Sequence, residues 1–119
     1  MSELARLEFR RVSGIPVATV RGEIDLSNAE EVLEAGLEGA VTDGAPSVVL
    51  DLSGVVYMDS AGIRALFELH ERLAALGKRM VAVVPEEAPI RRVLELADAP
   101  SVLSLSPSVE AAVAALDAD

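Results

Sequence analysis

Apolar and polar positions alternate with two distinct periods along the chain, and each period predicts its own kind of element. Leu7-Glu8-Phe9-Arg10 alternates residue by residue, as a half-exposed strand does. Ser13-Gly14 is a turn signal, and Ile15 to Val20 reads as the second strand of a hairpin. Pro16 cannot donate to a strand ladder, which puts the start of that strand at an edge or a strand end. After Gly22-Glu23-Ile24-Asp25-Leu26 the period changes. Ser27-Asn28-Ala29-Glu30 has capping-box spacing, with Ser27 as the expected cap, and Val32, Leu33, Gly36, Leu37, Ala40 and Val41 follow at helical spacing. That helix is expected to end near Thr42-Asp43-Gly44-Ala45-Pro46.

Val48-Val49-Leu50-Asp51-Leu52 is almost wholly apolar, which suits a central parallel strand buried on both faces. Ser53-Gly54 is expected to break it. Met58-Asp59-Ser60-Ala61-Gly62 then opens a helix to Leu76 that buries Ile63, Leu66, Leu69, Leu73 and Leu76, with Gly77 as the C-terminal cap. The pairs Arg64–Glu68 and Glu68–Arg72 are spaced to interact along its outer face. Arg79 to Val84 reads as another buried strand, and Pro85 to Pro89 stops it and starts a helix bearing Ile90, Val93, Leu94 and Ala97. Val102-Leu103 is a short candidate edge strand. Ser106-Pro107 supplies a cap and a first-position proline for a last helix with Val109, Val113 and Leu116 on one side. Strand–helix–strand units joined by right-handed crossovers predict an α/β fold: a mixed, mainly parallel sheet of four to five strands with about four helices. At 119 residues, 1–119 is expected to form one domain.

Composition narrows the function. The formal charge is −10, and Lys and Arg number 10 against 20 Asp and Glu. That argues against nucleic acid and anionic membrane surfaces and favours basic protein partners. Cysteine is absent, which removes disulfides, thiolate nucleophiles and cysteine-bound metals. No apolar run approaches the ~18 residues that a membrane span needs. Charges interrupt the first ten residues, Met1 to Arg10, where a signal peptide would be apolar, so a cytoplasmic location is expected.

Ligand sites in such sheets gather where strands end and helices begin, and Asp25 and Ser60 both occupy that kind of junction. A hydrolase reading of Ser60 fails. Met58 stands where the nucleophile elbow needs glycine, and His70, the sole histidine, is ten residues along the same helix, roughly 15 Å away. His70 is expected to be a packed or partly exposed structural residue. A receiver reading with Asp51 as phospho-acceptor lacks the acidic pair after the first strand and a lysine after the last, since the sole lysine, Lys78, precedes a middle strand. The phosphate-loop signature is missing, and no metal-ligand spacing is found, so no cofactor or metal is expected. Local rules read Ser60 or Asp59 as a helix cap, Ser27 as another, and Asp25 as a loop carboxylate.

Taken together, Gly22-Glu23-Ile24-Asp25, a capped helix, Val48-Val49-Leu50-Asp51-Leu52-Ser53-Gly54-Val55, Met58-Asp59-Ser60-Ala61-Gly62 and Gly77-Lys78-Arg79-Met80 resemble the STAS domain, and within it the bacterial anti-sigma factor antagonists. The likeness runs over nearly the whole chain in order, spacing and length. It implies a small α/β domain without catalytic activity, which binds a serine-kinase anti-sigma factor and so releases a sigma factor to act in transcription. It further implies partner switching by phosphorylation of the serine after the Asp of the Asp-Ser-x-Gly motif, here Ser60, with a PP2C-type phosphatase reversing it. Asp25, Ser27, Asp59, Ser60, Ala61 and Gly62 are the implied partner-binding residues. Ala61 departs from a common pattern, since many antagonists carry a second small hydroxyl residue there. Local rules expect the unpaired N–H groups at the start of the second helix to accommodate such a phosphate. Two other STAS roles stay open on sequence: a non-phosphorylated scaffold subunit of a lipid-transport ATPase complex, and a stressosome-like assembly.

Overall fold

A computed structural model describes residues 5–117. Among these residues, five strands form one sheet in the order β1-β2-β3-β4-β5. β1 (Ala5–Val12) and β2 (Ile15–Ile24) are an antiparallel hairpin, and β3 (Ser47–Met58), β4 (Arg79–Val83) and β5 (Ser104–Ser106) add to β2 in parallel. The hairpin turns on Ser13 and Gly14, with φ of 51° and 79°. Both are left-handed, which is the backbone of a type I′ turn and matches the twist of the flanking strands. Pro16 pairs with Arg11, one residue before β2 begins to pair with β3 at Val17, so its missing N–H removes no bond from the sheet centre.

Helices α1 (Ala29–Asp43), α2 (Ser60–Ala75) and α3 (Arg91–Leu96) cover one face of the sheet, over a core that includes Val20, Ile24, Leu50, Leu52, Leu69, Leu73 and Leu94. α4 (Val109–Asp117) covers part of the other face, where Val113 and Leu116 pack on Val17, Val49, Val81 and Val83. Alternate residues of β3 therefore feed opposite cores, which explains its unbroken apolar run. α2 stops by a left-handed Gly77 (φ 75°), with Gly77 and Lys78 N–H groups donating to the Ala74 and Leu73 carbonyls.

The structure corrects several element boundaries. β3 continues through Ser53-Gly54 to Met58, because β2 and β3 shift register between Thr19 and Arg21 and so absorb extra residues as a bulge. The edge strand is Ser104–Ser106, while Val102 belongs to the end of a 3₁₀ turn over Ala99–Ser101. The last helix begins at Val109, and the hydroxyl that accepts from its first turn is that of Ser108, from Ala111 N–H at 3.1 Å, in place of Ser106. On α2, Arg72 meets Glu68 at 3.5 Å and crosses to Glu34 of α1 at 3.0 Å; among the described residues Arg64 forms no pair with Glu68. The expectations for Met1–Leu4 and for Ala118-Asp119 lie outside the described residues.

Candidate functional site: the β2–α1 and β3–α2 junctions

β2 and β3 run parallel side by side and end together, Ile24 opposite Met58. The chain then leaves each strand into a helix, so two loops meet at one corner of the molecule. Asp59 joins them. Its Oδ1 accepts from Ala61 N–H (2.9 Å) and Gly62 N–H (3.1 Å), and its Oδ2 accepts from Leu26 N–H (3.1 Å) on the other loop. Its own N–H donates to the Ile24 carbonyl at 3.2 Å. Asp59 is therefore the N-cap of α2, and a cap that also clamps the neighbouring loop.

Ser60 follows as the first helical residue, exposed, and among the described residues its hydroxyl has no protein hydrogen-bond partner. The choice of Asp59 or Ser60 as cap is thus decided for Asp59. The expectation of spare amide groups for a phosphate is narrowed to the N–H of Ser60 itself, because the Ala61 and Gly62 N–H groups already bind the Asp59 carboxylate and the Ile63 N–H binds the Asp59 carbonyl. Gly62 is buried, not on the surface: a Cβ there would lie 2.6 Å from Met58 Cγ and 3.0 Å from the Ile24 carbonyl oxygen. Glycine lets α2 start this close to β2. Ala61 is half-buried and lines a groove between α1 and α2 with Leu26, Leu33 and Arg64.

The first loop is organised differently. Asp25 Oδ1 accepts from Ser27 N–H (2.9 Å) and Ser27 Oγ–H (2.6 Å). The hydroxyl of Ser27 is engaged backwards, so Ser27 is not the cap of α1, which begins at Ala29 after Asn28. Asn28 itself is 1% exposed. Its Oδ1 accepts from Asp25 N–H (2.9 Å) and its Nδ2 donates to the Glu23 carbonyl (2.9 Å), which pins the loop to the end of β2. Sequence reasoning missed the role of Asn28; an Asn four residues after a strand and immediately before a helix is the available signal.

Asp25, Ser27 and Asp59 border a shallow depression of about 420 Å³ with Leu26 and Tyr57. Leu26 on the first loop is 81% exposed, and Tyr57 near the end of β3 is also exposed, so apolar side chains stand beside the carboxylates. The strand-period reading of the sequence did not flag them as surface residues. Asp51 and Lys78 make separate contacts. Asp51 is buried and accepts from Ser53 N–H and Oγ–H, whereas Lys78 donates to the Ala45 carbonyl at the start of β3. His70 is half-buried in α2, the helix on which Ser60 is the first residue.

An open, acidic and partly apolar corner with one free hydroxyl has the layout of a protein-docking face. Among the described residues no group of three or more His, Asp or Glu is placed to hold a metal, and no helix is long and apolar enough to cross a membrane. The model of the STAS domain matches residues 6–112. This chain belongs to the STAS domain family. Its relatives include BtrV of Bordetella bronchiseptica, which carries the name of an anti-sigma factor antagonist and is 32% identical over 110 residues, 92% of this chain and 93% of BtrV. RsfB of Mycobacterium tuberculosis, named an anti-sigma-F factor antagonist, is 32% identical over 84 residues, 71% of this chain and 66% of RsfB. Among solved structures, an anti-sigma factor antagonist from Mycobacterium paratuberculosis superposes with a TM-score of 0.75 at 29% identity, over 93% of this chain and 92% of that one. The mixed five-stranded sheet with four α-helices is thus the STAS fold, and within the family the chain sides with the antagonists.

Proposed function

We propose that this STAS domain is an anti-sigma factor antagonist, a regulatory protein without chemistry of its own, which docks a serine-kinase anti-sigma factor through the corner formed by Asp25, Leu26, Ser27, Tyr57, Asp59 and Ser60. Phosphorylation of Ser60 by that kinase ends the association, and a PP2C-type phosphatase restores it. The setting is cytoplasmic transcription regulation, with no nucleic acid bound by this chain. One observation carries the reading: among the described residues, Ser60 is the exposed hydroxyl without a protein partner at a corner where Asp25, Ser27 and Asp59 are all engaged.

The physics of the switch follows. A phosphate on Ser60 adds roughly −1.5 to −2 charges at neutral pH. Because Asp59 already holds the Ala61 and Gly62 amides, the phosphate stays at the surface, close to a carboxylate of like sign. The fold is left as it is, and the cost falls on the complex. Like-charge juxtaposition in an interface costs several kcal/mol, and each ~1.4 kcal/mol is tenfold in affinity.

Incubation with the candidate kinase and ATP, followed by mass mapping, should place one phosphate on Ser60. Ser60→Ala should bind the kinase and resist inactivation, while Ser60→Asp should fold normally and bind at least ~100-fold more weakly. Equal phosphorylation of Ser60→Ala and wild type would refute the site.

A further inference from the structure

Among the described residues, β1 stands at one edge of the sheet and pairs with β2 alone. Its free side can be assigned residue by residue. The two-residue turn Ser13-Gly14 is flanked by the pair Val12↔Ile15, and in a type I′ hairpin the flanking pair exchanges both ladder bonds. Backbone groups of Val12, Arg10, Glu8 and Arg6 therefore point toward β2, and those of Leu7, Phe9 and Arg11 point outward. Their side chains sort by face. Leu7 and Phe9 lie on the α1 side, where the Phe9 ring lies so close to Gly39 that a Cβ on Gly39 would overlap it. Arg10 and Val12 lie on the α4 side, and Arg6 and Glu8 share their parity.

Edge strands are commonly guarded by charge, and Arg6, Glu8 and Arg10 are all exposed. Here the guard is complementary to itself. We propose that β1 pairs antiparallel with β1 of a second copy of this chain, with Phe9 opposite Phe9, joining two sheets into one. In that register Glu8 faces Arg10 of the other copy twice, once on each side of the two-fold axis. Leu7, Phe9 and Arg11, the residues whose backbone groups are turned outward, become the ladder-bonded positions. Neighbouring registers that keep the helices of both copies on the same side set Glu8 against Glu8, or Arg10 against Arg10. The register centred on Leu7 also joins opposite charges, Arg6 to Glu8, but overlaps less of the strand.

On the α1 face, a groove of about 460 Å³ lined by Leu7, Phe9, Ala35 and Gly39 runs along this same edge and would receive the Phe9 ring of the second copy. Phe9 is 38% exposed in the single chain. A strand pair with one aromatic contact per copy falls at the small end of specific interfaces, and each copy carries −10, so the dimer is weak and reversible. The proposal is independent of any phosphorylation at Ser60.

Sedimentation equilibrium of the intact chain at ~150 mM salt, where charges are screened beyond about 8 Å, tests it. The mass should rise from one chain to two as concentration goes from the order of 10 μM to 1 mM. Glu8→Arg and Arg10→Glu, each shown folded by circular dichroism, should move the midpoint at least ~tenfold upward, because each turns both attractive pairs repulsive. An equimolar mixture of these two variants should regain association, since opposite charges again face each other at both positions. In wild type, amide exchange at Leu7, Phe9 and Arg11 should slow as concentration rises. A single-chain mass over the whole range, variants that associate like wild type, a mixture that does not recover, or unchanged exchange at those amides would each overturn the proposal.

Discussion

The two helices that start at the candidate docking corner do so by opposite means. α2 is capped by a side chain, Asp59, which accepts from two of its first amides and reaches across to Leu26. α1 has no side-chain cap; its Asn28 turns away from the helix and is buried against the end of β2. In one junction the polar side chain serves the helix and leaves the next residue, Ser60, free. In the other, polar side chains serve the loop: Asn28 fixes the backbone, and Ser27 and Asp25 hold one another. The contrast suits a switch, because a modified Ser60 is not needed by either arrangement. Rigidity comes from its neighbours.

That contrast can be broken at four places, and the expected losses of stability in urea unfolding descend in a definite order. Asn28→Ala should be the most damaging, about 2–4 kcal/mol, since it empties a fully buried site and takes both partners from the part-buried Asp25 N–H and Glu23 C=O. Gly62→Ala should cost about 1–2 kcal/mol. Overpacking against Met58 and the Ile24 carbonyl exceeds the ~1 kcal/mol that alanine gains in helix propensity. Because the shift moves the start of α2 itself, this variant should also be phosphorylated more slowly at Ser60, which a time course with the kinase would read. Asp59→Ala removes the cap and should cost ~1 kcal/mol, with Asp59→Asn recovering most of it. Ser27→Ala should change stability by less than about 0.5 kcal/mol, because its bond to Asp25 is exposed and caps nothing. A loss of ~1 kcal/mol or more at Ser27 would mean that α1 is capped after all.

Much of this molecule is legible in periodicity. The alternation through Leu7-Glu8-Phe9-Arg10, the turn at Ser13-Gly14 and the apolar run from Val48 suffice for the hairpin and the central strand. The 3.6-residue spacing of Leu66, Leu69 and Leu73 suffices for α2 and the face it buries, whereas Leu76, expected on that face, lies past the last helical residue and is exposed. What failed did so where two local rules competed. Ser53-Gly54 looks like a strand break by residue type, yet the β2–β3 bulge accommodates it and Val55 returns to full burial. Ser27 and Glu30 have the spacing of a capping box, but spacing cannot tell whether a hydroxyl turns forward to the helix or back to Asp25, only two residues away.

The sequence by itself determined the order of elements, the mainly parallel sheet, the acidic character and the motif around Ser60, because each is written in short-range patterns of apolarity, charge and spacing. Only the tertiary structure decided which polar groups remain available. Leu26 N–H meets Asp59 across a separation of thirty-three residues, and that contact exists because β2 and β3 end side by side. Burial of Asn28, the tight seat of Gly62 and the freedom of the Ser60 hydroxyl all depend on that same closeness, which no window of local sequence contains.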